Sequence, residues 1–125
     1  MGQILWTIAS VLGATAVGLG AFASHGLRAH LSDRAFDIFE VGTRYQMYHA
    51  LALLFVASLM VRIETVPISL HLAGIAFITG IMIFSGSLYA LSLTGIVWLG
   101  AITPIGGLLF MGGWVCLAIA AWQYQ

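Results

Sequence analysis

Four long apolar runs, separated by shorter links, organise the 125-residue chain. Each run is about 20 residues long, which is the length of helix that crosses a hydrocarbon core of about 30 Å. The pattern predicts an all-α protein with membrane-spanning helices at about residues 3–24, 44–61, 69–91 and 98–122. Small residues recur four apart in several runs and would let helix backbones approach closely. We therefore expect a single transmembrane domain, residues 1–125, folded as a four-helix bundle.

The link between the first two runs is longer and more charged than the others. Its charged residues, from Asp33 through Glu40 to Arg44, recur at spacings of four, three and four, while apolar side chains take another face. Ser32 is a suitable N-cap for a helix at this point. This link predicts a short amphipathic helix over about residues 32–42, lying flat in the membrane interface.

The last apolar run contains a proline well inside it. Thr103 and Pro104 are followed by two glycines. Because proline cannot donate a backbone hydrogen bond and crowds the preceding turn, we expect either a kink here or a helix that starts late.

The composition agrees with a membrane location. The chain is 62% hydrophobic and only 6% charged, against roughly 25% charged in soluble domains, and its mean hydropathy is +1.08. The net charge is zero and no basic patch is present for a nucleic acid. The single cysteine, Cys116, cannot build a disulfide framework or a cysteine metal site within one chain. The sequence thus predicts an integral membrane protein with no nucleic-acid partner, and the interpretation that it favours involves no metal and no cofactor.

The arginines suggest an orientation. Arg28, Arg34 and Arg44 lie in or beside the first link, whereas only Arg62 lies at the opposite ends of the helices. Cytoplasmic loops carry the excess of basic residues. This distribution predicts that the first link is inside and that both termini are outside.

Polar side chains cluster near one end of the predicted helices. Tyr45 and His49 are four apart and share a helix face, with Arg44 and Tyr48 on the adjacent line. Antiparallel neighbours would bring the ends of helices 1 and 3 to the same side as the starts of helices 2 and 4. The candidate polar pocket consists of His25, Arg44, Tyr45, Gln46, Tyr48, His49, Ser85, Ser87, Tyr89 and Thr103, with Ser24 and Ser92 nearby.

Three interpretations of this pocket stay open. His49 could hydrogen-bond a neighbouring carbonyl or hydroxyl and lock the helices together; the pocket could bind a ligand or substrate; or His25 and His49 could hold a metal or haem. Arg44 follows Glu40 by four, which favours a local ion pair at the membrane boundary. No acid lies in the middle of a predicted span, although a proton-coupled transporter normally needs one. No catalytic constellation is recognisable, so no catalytic residue is predicted.

Four motifs, in order, resemble a known family. The stretches "GAFASHGL", "GTRYQMYHALALL", "FSGSLYALSLTG" and "ITPIGGLLFMGGW" are similar to the DUF423 family, the small four-helix membrane proteins that include YgdD and transmembrane protein 256. The resemblance extends from about Gly13 to Trp114, with Ala23 at a position where the family usually has glycine. It implies a bacterial inner-membrane (plasma-membrane) protein and implies no particular activity. The motif positions coincide with most of the candidate pocket.

The sequence therefore favours a non-enzymatic bundle that binds a lipid, a quinone or a partner subunit. Membrane lipids and a second copy of the chain, or another membrane protein, are the expected partners. One alternative is a transporter or channel for a small solute. Because helix 4 is almost wholly apolar beyond Thr103, its pore would have to form between protomers. The other alternative is a redox or cofactor-bound membrane component with histidine ligands.

Overall fold

Four long helices follow one another in the computed structural model, which describes residues 1–123. Within these residues the chain contains helices, turns and short links but no strand. The elements are α1 (Gly2–Phe22), which continues into a turn of π-helix (Ala23–Leu27), α2 (Asp33–Arg62), α3 (Ile68–Thr94), a 3-10 turn (Val97–Ala101) and α4 (Thr103–Gln123).

Three of the helical segments are long and apolar enough to cross a membrane. They span Gly2–Leu27, Ile68–Thr94 and Val97–Gln123. The remaining helix, α2, carries the polar residues 44–49 in its middle and charged residues in its first turns. An all-α fold with three helical segments able to span a membrane is therefore confirmed for the described residues.

The predicted interfacial helix is not a separate element. Residues 32–42 and 44–61 belong to one continuous helix of 30 residues, α2. Ser32 does cap it, as predicted, since its Oγ accepts a hydrogen bond from the Ala35 amide at 3.2 Å. The apolar face of the first turns is covered by protein, because Phe39 packs on Tyr89 with ring centroids 4.8 Å apart. That packing leaves no reason for the helix to break and lie flat.

The fourth helix begins later than the predicted residue 98. Gly95 ends α3 in the left-handed region, with φ of 71°, which glycine adopts without a steric penalty. A 3-10 turn follows, and α4 starts at Thr103. Pro104 then lies in the first turn, where its missing N–H has no helical partner to lose. Of the two expected outcomes, the late start is the one observed.

Consecutive helices pack against each other in antiparallel pairs. Gly2 at the start of α1 approaches Val61 at the end of α2. Ser92 near the end of α3 bonds Ala35 at the start of α2, and Ser69 at the start of α3 bonds Gln123 at the end of α4. The extensive contacts are between neighbours in the chain, so α1 and α4 lie on the outside. The apolar core is centred on the fully buried Leu53, Val56 and Phe77 of the two middle helices.

Candidate functional site

The amide of Gln46 joins three helices. Its Nε2 donates to the Leu12 carbonyl at 2.9 Å and to the Thr15 hydroxyl at 2.8 Å. Its Oε1 accepts from the Tyr89 hydroxyl at 2.8 Å. The side chain is only 4% exposed, and this arrangement uses both of its N–H groups and its oxygen. Gln46 is thus a buried connection between α1, α2 and α3.

His49 connects α2 to α4. Its Nδ1 lies 2.8 Å from the Tyr45 carbonyl, and its Nε2 lies 3.3 Å from the indole nitrogen of Trp114. A carbonyl only accepts and an indole N–H only donates, so the proton of this neutral imidazole is on Nδ1. The ring stacks on Phe110 with centroids 3.5 Å apart and planes 3° apart.

This geometry argues against His49 as a ligand of a metal or haem iron. Both ring nitrogens already have protein partners, so no lone pair is left for a metal or haem iron unless the contact with Trp114 is broken. His25 is exposed on the π-turn after α1. That turn packs near Phe36, and His49 follows Phe36 by thirteen residues, which is roughly 20 Å along a helix. The two histidines therefore do not form a pair.

Hydroxyl groups attach α3 to its neighbours at several points, including those of Ser85, Ser87 and Thr103. Ser85 Oγ donates to the Gly42 carbonyl of α2 at 2.7 Å. Ser87 donates to the Phe84 carbonyl at 2.9 Å, and the Thr103 hydroxyl lies 2.7 Å from Ser87. Because the Ser87 proton is used on Phe84, Thr103 is the donor in that last pair.

The two tyrosines on α2 face outward. Tyr45 is 40% exposed and Tyr48 is 53% exposed. The Tyr45 ring stacks on Phe84 of α3, with centroids 4.7 Å apart. Tyr45 also lies near His49, at 6.1 Å between rings. The predicted common face of Tyr45 and His49 exists, but only His49 is inside the protein.

Arg44 has the predicted local partner. Its guanidinium lies 3.5 Å from the Glu40 carboxylate; the Arg44 side chain is exposed and the Glu40 side chain is partly exposed. Exposed pairs of this kind contribute little, about 0.3–0.5 kcal/mol. Arg44 belongs to the polar boundary of the protein and not to its interior.

Three contributors were missed from the sequence. Thr15 and the carbonyl of Leu12 complete the Gln46 connection, and Trp114 completes the His49 connection. Thr15 is one of several hydroxyls in an apolar run, and Trp114 is one of four tryptophans in the chain. Only the tertiary packing distinguishes them from their neighbours.

The candidate residues form paired contacts between helices and not the lining of one cavity. Within residues 1–123, every buried side-chain nitrogen and oxygen has a hydrogen-bond partner. The open spaces lie elsewhere. One is an apolar groove of about 310 Å³ whose wall includes Phe55, Leu59, Ile63, Leu117, Ala120 and Ala121.

Comparisons with known proteins place the chain among small membrane proteins. The family model described as "Protein of unknown function (DUF423)" matches residues 19–107. A UPF0382 membrane protein of Staphylococcus epidermidis is 50% identical over 109 residues, covering 87% of each chain. The UPF0382 membrane protein YwdK of Bacillus subtilis is 46% identical over 109 residues, covering 87% of this chain and 88% of its own. No solved structure matches. The names of these bacterial relatives and the three segments able to span a membrane confirm the predicted membrane location.

Proposed function

We propose, since the chain belongs to the DUF423 family of membrane proteins, that it is a non-enzymatic four-helix bundle that binds a membrane lipid on its outer surface. In this proposal α2 also crosses the membrane. Its 30 residues span about 45 Å at 1.5 Å per residue, whereas the hydrocarbon core is about 30 Å thick. Its charged first turns would then lie at the level of the lipid headgroups.

The observation that carries the proposal is the complete pairing of the buried polar groups. Gln46, His49 and Ser85 are all occupied by contacts between helices. An enzyme or a cofactor protein needs polar side chains that are free to contact a reacting atom. In the described interior every buried polar side chain is already hydrogen-bonded to another part of the protein. A ligand would therefore bind on the surface that faces lipid and not in the interior.

The apolar groove supports a lipid chain as the occupant. It is bounded by α2 and α4 and floored by Leu70 of α3. Inside a bilayer an apolar surface is already out of water, so covering it with a lipid chain gains no hydrophobic free energy. Binding in this groove therefore depends on close packing. Its lining side chains are aliphatic or aromatic and carry no donor for the carbonyl oxygens of a quinone ring. We therefore favour an acyl chain over a quinone.

Filling the groove tests this proposal. Ala121→Phe places a ring in the groove, and Ala118→Phe adds the same ring to an exposed position of α4 outside it. Native mass spectrometry of the purified chain, after detergent exchange and addition of phosphatidylcholine, measures the lipid-bound fraction. We expect Ala121→Phe to lower that fraction and Ala118→Phe to leave it unchanged. Equal lipid retention by both variants would contradict the proposal.

A second copy of the chain, or a partner membrane protein, is the other proposed occupant of the surface. Gly13, Gly18 and Gly20 of α1 have no atom of residues 1–123 within 4 Å of an added Cβ, apart from local helix atoms. These glycines thus serve no close contact within the described chain. Gly13 and Gly20 are seven residues apart and share a helix face, and small residues on one face suit helix–helix association in lipid. The same native mass spectra report the oligomeric state.

A further inference from the structure

A second groove, of different chemistry, lies between the start of α1 and the end of α2. Its volume is about 500 Å³, and its lining residues are Gln3, Trp6, Thr7, Ser58, Val61 and Arg62. All but Val61 carry a hydrogen-bonding group. We propose that this polar groove binds the phosphate of an anionic phospholipid, with Arg62 as the cation.

The two helices bring these side chains together at a close contact. A Cβ added to Gly2 would lie 2.8 Å from Val61 Cγ2 and 3.3 Å from the Ala57 carbonyl, so α1 and α2 touch here. Gln3 follows Gly2 directly on one helix, and Arg62 follows Val61 directly on the other. On each helix two lining side chains follow the first one by three and by four residues, which places them on one face of that helix.

The hydrogen bonds of the groove leave its strongest donors unused. The hydroxyls of Thr7 and Ser58 donate to carbonyls of their own helices, at 3.1 and 2.7 Å. The side-chain N–H groups of Arg62, Gln3 and Trp6 donate to no acceptor in the part of the chain that the structure describes. A phosphate needs several donors and a positive charge, and the planar guanidinium binds two phosphate oxygens at once.

The charge distribution also favours an anion. Arg62 is the only lysine or arginine at this end of the helices. The neighbouring acid, Glu64, makes no ion pair with Arg62 among residues 1–123. The carboxyl end of α2 carries a partial negative charge that stabilises the Arg62 guanidinium. Because this charge is only partial, the guanidinium can still bind a phosphate.

The position of the groove identifies a lipid as the source of the phosphate. Arg62 is the last residue of α2 and Gln3 is the second residue of α1, so both lie at the ends of helices, at headgroup level. Trp6 and Val61 are largely exposed beside them. A tryptophan at this depth is typical of the membrane interface, and the apolar flank offers a path for the acyl chains.

Replacing the cation tests the inference. Phosphatidylglycerol and phosphatidylcholine are added in equal amounts to the purified chain in detergent, and native mass spectrometry gives the ratio of the two bound lipids. Arg62→Gln removes the charge in the groove, whereas Arg34→Gln removes one exposed arginine at the opposite end. We expect Arg62→Gln to reduce the preference for phosphatidylglycerol roughly fivefold, as one cation at a membrane surface is worth about 1 kcal/mol. Arg34→Gln should leave it unchanged.

The other outcomes are equally informative. An equal loss in both variants would show general charge attraction and overturn the site. Inorganic phosphate or glycerophosphate that displaces the lipid at equal concentration would show a free-anion site and overturn the lipid assignment. Thermal unfolding of each variant establishes that it is folded. Ala121→Phe, which changes the apolar groove, should not alter the headgroup preference, so this inference and the lipid-chain proposal can fail separately.

Discussion

The contact between α3 and α4 gives the sharpest prediction, because two adjacent glycines there differ in their surroundings. A Cβ added to Gly106 would lie 2.5 Å from the backbone nitrogen of Phe84 and 2.6 Å from its Cβ. A Cβ added to Gly107 meets only the Phe84 ring, at 3.9 Å. Normal contacts between carbon atoms are about 3.5–4.0 Å. Gly106→Ala therefore requires the two helices to separate by roughly 1 Å, since backbone atoms cannot rotate away.

Two opposing energies decide the sign of each substitution. Glycine to alanine favours a helix by about 0.8–1.0 kcal/mol, while overpacking costs about 1–3 kcal/mol. Separation of the helices would also stretch the bond of 2.7 Å between Ser87 and Thr103, one turn away, which is worth about 0.6 kcal/mol in membrane proteins. We expect Gly106→Ala to destabilise the protein by about 1–2 kcal/mol and Gly107→Ala to be neutral or slightly stabilising.

Reversible unfolding of the purified protein in mixed detergent micelles, followed by far-ultraviolet circular dichroism, measures this difference. The adjacent variant is the control for helix propensity, expression and detergent binding. Gly106→Ala with the same free energy of unfolding as Gly107→Ala would refute the close contact between α3 and α4.

The polar connections between helices give two further predictions. Tyr89→Phe removes the hydroxyl that donates to Gln46 at 2.8 Å and should lower the free energy of unfolding by about 0.6 kcal/mol; Tyr48→Phe, which removes an exposed hydroxyl, should have no effect, and identical unfolding curves for the two variants would contradict the connection. His49→Ala removes a buried ring that joins α2 to α4 and should cost roughly 2 kcal/mol, measured by the same unfolding assay. If His49→Ala melts like His25→Ala, which changes an exposed side chain, the locking role of His49 is excluded.

The local patterns of the sequence determined the helices and the membrane location. Apolar runs of about 20 residues have few alternatives to membrane-spanning helices, and the cap at Ser32 and the ion pair between Glu40 and Arg44 depend only on residues within one turn. The same local reasoning separated the amphipathic start of α2 from its apolar remainder. It could not detect that the ends of α1 and α3 extend far enough to cover Phe36 and Phe39 and keep α2 continuous.

The tertiary structure decided which residues of each pattern contact a neighbouring helix. Small residues recur along both α1 and α4, yet Gly106 and Gly113 meet α3 closely while Gly13 and Gly18 meet nothing in residues 1–123 beyond their own helix. Periodicity says which residues share a face but not which face meets a neighbouring helix. For the same reason the sequence proposed one polar pocket, whereas packing distributed its members among separate contacts. The partner of each polar side chain depends on the rotation and depth of neighbouring helices, and these are set by the fit of many side chains together.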